Sequence, residues 1–115
     1  MNVRLDLETT LNNLGGDRAL MQHLCQIIVE DAPTLLEKLN SSIVFNDRER
    51  SQHLIHSLRG MFETFGAEPA TSLALELESE LTAPFDRDLL TQKLDRYRCI
   101  LQATLSLISQ ILSDK

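Results

Sequence analysis

The residues best equipped for chemistry are His56, Arg59 and Gly60, spaced at i, i+3 and i+4. On a helix those positions share one face, because 3.6 residues make a turn. An imidazole held in water is a nucleophile near neutral pH. A guanidinium one turn along can bend toward the same spot. There it would neutralise a phosphoryl group attached to the ring, through charge-assisted hydrogen bonds. Gly60 is costly where it stands, since a glycine inside an exposed helix loses roughly 1 kcal/mol relative to alanine. Clearance is one reason to keep it: without a Cβ at i+4, another surface can reach the imidazole.

Around this trio lie Glu49, Gln52, His53 and Glu63, all within about a quarter turn of His56 on a helical wheel. Glu63 stands four residues after Arg59, placed for an ion pair worth about 0.2–0.5 kcal/mol. That pair could hold Arg59 away from the ring, and Glu63 itself would repel a phosphoryl group. Taken alone, an exposed histidine followed by arginine is usually only a solvated face, and Arg59–Glu63 an ordinary surface pair. His53 reads as surface filler or the edge of a docking site, and His23 as the polar margin of its helix. Glu49, His53 and His56 have a spacing that can ligate zinc. The paired Glu-x-x-His motifs of di-iron bundles are absent, however, and no second helix offers an obvious ligand. No metal site is therefore expected.

The elements that must position these residues read as helices. Asp6 can cap a short first helix ending near Asn13, with Gly15-Gly16 closing it. Asp17 caps a second helix whose apolar stripe is Leu20, Leu24, Ile27, Ile28, Leu35, Leu39 and Ile43. Pro33 interrupts that stripe. A kinked long helix is preferred over two helices, because the stripe keeps its phase and no Gly or Asn supplies a turn. Asn46 or Asp47 opens the third helix, which runs to about Phe65 and stops at Gly66. It should bury Leu54, Leu58, Met61 and Phe65, flanked by Ile55 and Phe62, so His56 points to solvent. Glu68-Pro69 opens the fourth helix, with Ala70, Leu73, Ala74, Leu77 and Leu81 as its buried face. After a loop at 82–86, Asp86 or Asp88 begins the last. Its stripe is Leu90, Leu94, Tyr97, Leu101, Leu105, Ile108 and Leu112. The expected fold is all-α: an antiparallel up-down four-helix bundle with a short extra N-terminal helix.

Composition agrees. The 115 residues suit one domain, 1–115, and 43% are hydrophobic, enough for a core. Aromatics are only 4%, with four Gly and three Pro, so turns are few and elements long. A net charge of −6 argues against nucleic acid. Cys25 and Cys99 lack C-x-x-C spacing, and burial as a small hydrophobe is the common fate of such a residue. The N-terminus has no apolar signal core, and no run of 18 apolar residues offers a membrane span. A soluble, cytoplasmic protein is expected.

The segment His56-Ser-Leu-Arg-Gly60-Met-Phe-Glu-Thr-Phe-Gly66-Ala67 resembles the signature of histidine phosphotransfer (HPt) domains. In that family the histidine is followed by Lys or Arg at +3, Gly at +4 and Gly at +10. Gly15-Gly16-Asp17, Glu30-Asp31-Ala32-Pro33 and the Glu-bearing helix after Pro69 extend the likeness from about Asp6 to the end. The resemblance implies a phosphorelay carrier in two-component signalling, a phosphoprotein without autokinase activity. His56 would be the phosphoacceptor, through Nε2, and Arg59 would screen the phosphoryl charge. Gln52, His53, Gly60 and Glu63 would meet the partner. Partners would be receiver domains of response regulators and hybrid sensor histidine kinases. The chain itself would need no cofactor, the receiver bringing Mg²⁺, and would act as a monomer. Met61, Phe62 and Glu63 depart from the small residues that often follow the glycine, and Glu76, Glu78 and Glu80 stand where some members have an amide or a basic residue. No Gly-rich nucleotide loop is present, and Ser57 stands where dimerisation-helix kinase domains usually resemble His followed by Glu or Asp. The alternative is a regulatory module that docks a receiver or a helical partner without phosphotransfer.

Overall fold

A computed structural model describes residues 4–82 and 86–113. The centre of the expected 82–86 loop and the first three residues lie outside that range. Five helices make up the described chain: α1 (Leu7–Asn13), α2 (Arg18–Val44), α3 (Arg48–Glu63), α4 (Glu68–Glu80) and α5 (Arg87–Ser113). Aspartates start four of them. Asp6, Asp17 and Asp47 accept from the backbone N–H of Thr9, Leu20 and Arg50, and Asp86 accepts from those of Asp88 and Leu89.

Three helices end in the same way. Gly15, Asn46 and Gly66 each adopt a left-handed backbone, with φ of 67°, 58° and 61°. Around each, the next N–H reaches back five residues: Gly16 to Leu11, Asp47 to Ser42 and Ala67 to Phe62, at 2.7, 2.8 and 3.3 Å. This reversal satisfies the last carbonyls of a helix while turning the chain sharply. Tight turns make neighbours antiparallel, so α2, α3, α4 and α5 run alternately up and down. Each packs on its chain neighbours, and α5 closes the ring on α2. Helix α1 sits across the α3–α4 turn, where Asp6 N–H donates to Phe65 O (3.0 Å) and Thr10 Oγ1 to Thr64 O (2.8 Å).

Pro33 lies inside α2, which continues through it for 27 residues. The buried stripe is rotated from the expected one. Met21, Cys25, Ile28, Ala32, Leu36, Leu39 and Ile43 face the core, while Leu20 is exposed and Leu24 and Leu35 are half-buried. The core-facing line of α2, which packs on both α3 and α5, runs through the small residues Cys25 and Ala32, and a stripe drawn through the large residues misses them. Met61 is likewise only half-buried, because Ile55, Leu58 and Phe62 form the centre of the α3 face. Phe65 is buried in the turn rather than in the helix. Cys25 is buried and Cys99 exposed, and both are free thiols. All five residues expected on α4 are buried; on α5, Leu105 and Leu112 sit at the margin.

Candidate functional site

Burial of Leu54, Ile55, Leu58 and Phe62 fixes the roll of α3 and turns His56 outward. Its side chain is 72% exposed, yet one edge of the ring is held. Nδ1 lies 3.2 Å from Glu78 Oε1 on α4 and 3.1 Å from a terminal nitrogen of Arg59. Nε2 has no hydrogen-bond partner among the described residues. The two contacts at Nδ1 ask for opposite protonation. A neutral ring has one N–H. With the proton on Nδ1 the ring donates to Glu78, and Nε2 carries the free lone pair. With the proton on Nε2 the ring accepts from Arg59, and Glu78 faces a lone pair.

Arg59 is folded down against the bundle rather than reaching into solvent, with a side-chain exposure of 20%. It donates to Glu63 Oε1 at 2.9 Å, as the i, i+4 spacing predicts. Its Nε is 2.9 Å from Glu78 Oε2, but the N–H does not point along that line, so the contact is an ion pair rather than a hydrogen bond. The hydrogen bond to Glu63 first, and then the charge of Glu78, raise the Arg59 pKa further above its ordinary range.

Glu78 is the residue that sequence reasoning missed; it counted only as one of three acidic neighbours. The three serve different sides. Glu76 and Glu80, four apart, both pair with Lys93 of α5, Glu76 at 2.8 Å. Glu78, between them, faces α3. The signal was present: Glu78 stands four residues after buried Ala74 and three before buried Leu81, which marks it as a margin residue of the inner face.

His53 and Glu63 are exposed, as expected. Gln52 is half-buried, and its amide donates to Leu81 O at 2.7 Å, joining the start of α3 to the end of α4. Gly60 is exposed, and a Cβ built there meets nothing within 4 Å. Beside the ring an open depression is lined by Gln52, His53, His56, Ser57, Glu78 and Thr82. Among the described residues, no three His, Cys, Asp or Glu side chains gather as a metal site would need.

The Hpt domain family model matches residues 23–111, which takes in the whole of α3 and α4 and most of α2 and α5. The chain belongs to the Hpt domain family. Comparisons with curated proteins and with solved structures gave no match. Hpt domains are helical phosphocarrier modules of two-component phosphorelays, and they interact with receiver domains. No helix among the described residues is long and apolar enough to cross a membrane.

Proposed function

We propose that this Hpt domain carries a phosphoryl group on His56, taking it from an aspartyl phosphate of one receiver domain and giving it to the aspartate of another. The observation that carries this reading is the asymmetry of the ring. One nitrogen is held by Glu78 at 3.2 Å, while the other faces an open surface with Gly60 a turn away.

The transfer follows from that asymmetry. With its proton on Nδ1, shared with Glu78, the ring presents the Nε2 lone pair to the phosphorus. The Nε2–P bond forms as the P–O bond to the receiver's aspartate breaks, and the bonding pair leaves with the carboxylate. The ring becomes an imidazolium that still carries its Nδ1 proton, so no proton has to move. Glu78 faces the positive charge as it develops and stabilises it. The same positive ring is a good leaving group for the reverse step. Arg59 is the cation that can meet the phosphoryl oxygens. Without a nucleotide-binding loop, the phosphoryl group has to arrive from a partner, so autokinase activity is not expected.

The test is direct. A labelled phospho-receiver mixed with the chain should yield an acid-labile, alkali-stable label, the behaviour of a P–N bond. His56→Gln should abolish it with the helical circular dichroism unchanged. Label that persists in that variant rejects His56 as the acceptor.

A second reading has one observation in its favour: Arg59 is engaged by two carboxylates rather than left free. On that reading the chain docks a receiver, or another helical partner, and regulates it without transfer. Partner binding that survives His56→Gln, with no phosphohistidine ever formed in the native chain, would select it.

A further inference from the structure

Arg59 answers to three groups at once. Glu63 holds one end of the guanidinium at 2.9 Å, Glu78 lies against Nε at 2.9 Å, and the ring of His56 is 3.1 Å from the remaining nitrogen. A phosphoryl group on Nε2 brings two negative charges into this circle. Glu78 has its own task there, because the positive ring keeps it in place. Glu63 has none: among the described residues its side chain bonds only to Arg59.

Resting on the carrier reading, we infer that Glu63 sets the phosphoryl-transfer potential of His56, holding Arg59 in reserve so that the phosphorylated domain is a ready donor. Two effects act in one direction. The Glu63 carboxylate repels the phosphoryl oxygens from two turns along the same face, the weaker of the two effects at that distance. It also competes with them for the guanidinium, so a bond to Arg59 has to be exchanged rather than simply gained. Both raise the free energy of the phosphorylated form relative to the free one. The phosphoryl group is thereby biased toward leaving for a receiver aspartate.

The sign of this effect distinguishes it from damage to the fold. Losing a structural contact lowers the amount of phosphohistidine, whereas losing this carboxylate raises it. Glu63→Gln and Glu63→Lys are made beside Glu37→Gln and Glu37→Lys. Glu37 is exposed on α2 and lines a groove with Arg98 of α5, away from the α3–α4 face. These controls change the net charge equally without touching Arg59.

Each protein is brought to equilibrium with a phosphorylated receiver domain in Mg²⁺ buffer, and phosphohistidine is quantified against phosphoaspartate. The expected result is a shift toward phosphohistidine of about two- to fivefold for Glu63→Gln, in line with an exposed ion pair. Glu63→Lys should shift it further, and the Glu37 variants should match wild type. The shift should shrink in 1 M salt, which screens exposed charges. An unchanged or lowered phosphohistidine fraction in Glu63→Gln, with wild type labelled normally, overturns the inference. Equal shifts in the Glu37 series overturn it too, by assigning the effect to net charge. A wild-type chain that takes no label fails the carrier reading itself.

Discussion

His56 has one proton to place on two ring nitrogens, and its two neighbours favour different placements. Glu78 favours Nδ1–H, which leaves Nε2 reactive; Arg59 favours the other tautomer. The balance can be read out. Glu78→Gln keeps an oxygen that can accept from Nδ1–H but loses the charge that faces the imidazolium. Glu78→Ala loses both, and Arg59 is left to select the unreactive tautomer. Transfer from a phospho-receiver should slow by about three- to tenfold in Glu78→Gln, the scale of one hydrogen bond at a partly exposed site. Glu78→Ala should be slower still, with the ring nitrogens observed by ¹⁵N NMR moving toward the Nε2–H form. Equal rates in all three proteins would remove Glu78 from the chemistry. Gly60 makes a different demand. Since a Cβ there meets nothing, Gly60→Gln should leave stability within about 1 kcal/mol of wild type or raise it, helix propensity favouring Gln. Its long side chain should nevertheless weaken receiver binding, measured by calorimetry. Unchanged affinity would count against a clearance role.

At the scale of elements, the turns decide how α3 meets α4. Gly66 closes α3 with φ of 61°, and a Cβ there would stand 2.8 Å from Asp6 Cβ, the cap of α1. Gly15 shares the left-handed backbone but has open space around it. Gly15→Ala should therefore cost about 1–2 kcal/mol from the backbone alone. Gly66→Ala should cost more, because α1 must also shift off the α3–α4 turn. Urea midpoints compare the two, and equal losses would mean that α1 adds no constraint. These elements were largely legible in the sequence. Asp6, Asp17, Asp47 and Asp86 announce helix starts, Gly15 and Gly66 announce stops, and the leucine spacing of α4 and α5 names their buried faces. Two things were not legible. Cys25 and Ala32 face the core from α2, and which side of α2 meets α3 and α5 depends on neighbours no single-helix pattern contains. Glu78 meets His56 across 22 positions of sequence, and only the packing of α3 on α4 brings them together. Asn46 was one of two possible starts for α3; its left-handed backbone makes it the stop of α2 instead.

The whole molecule is a rod of 44 × 22 × 22 Å, with the candidate site on the α3–α4 seam. Tyr97 of α5 is fully buried, and its hydroxyl has no hydrogen-bond partner among the described residues. Burial, and then the charge of Glu78, push its pKa far above the usual phenol range. In the unfolded chain the phenol loses its proton near pH 10, roughly its ordinary value. The folded phenol stays neutral to higher pH. Between those points the unfolded state is the one that gains by ionising, so stability falls as pH rises past about 10. Tyr97→Phe should match or exceed wild type by up to about 1 kcal/mol at pH 7, having no hydroxyl to strand. The gap should widen at pH 11, as denaturation midpoints at the two values would reveal; a constant gap would show that the phenol does not govern alkaline unfolding. Lys93 adds a link of another kind. It grips Glu76 and Glu80 on the outer flank of the helix whose inner flank presents Glu78. Those two clasps tie α4 to α5, and Glu78 ties the same helix to His56 of α3. On the carrier reading, α5 is thereby joined to the phosphoacceptor through one intervening helix, although among the described residues α5 does not pack on α3.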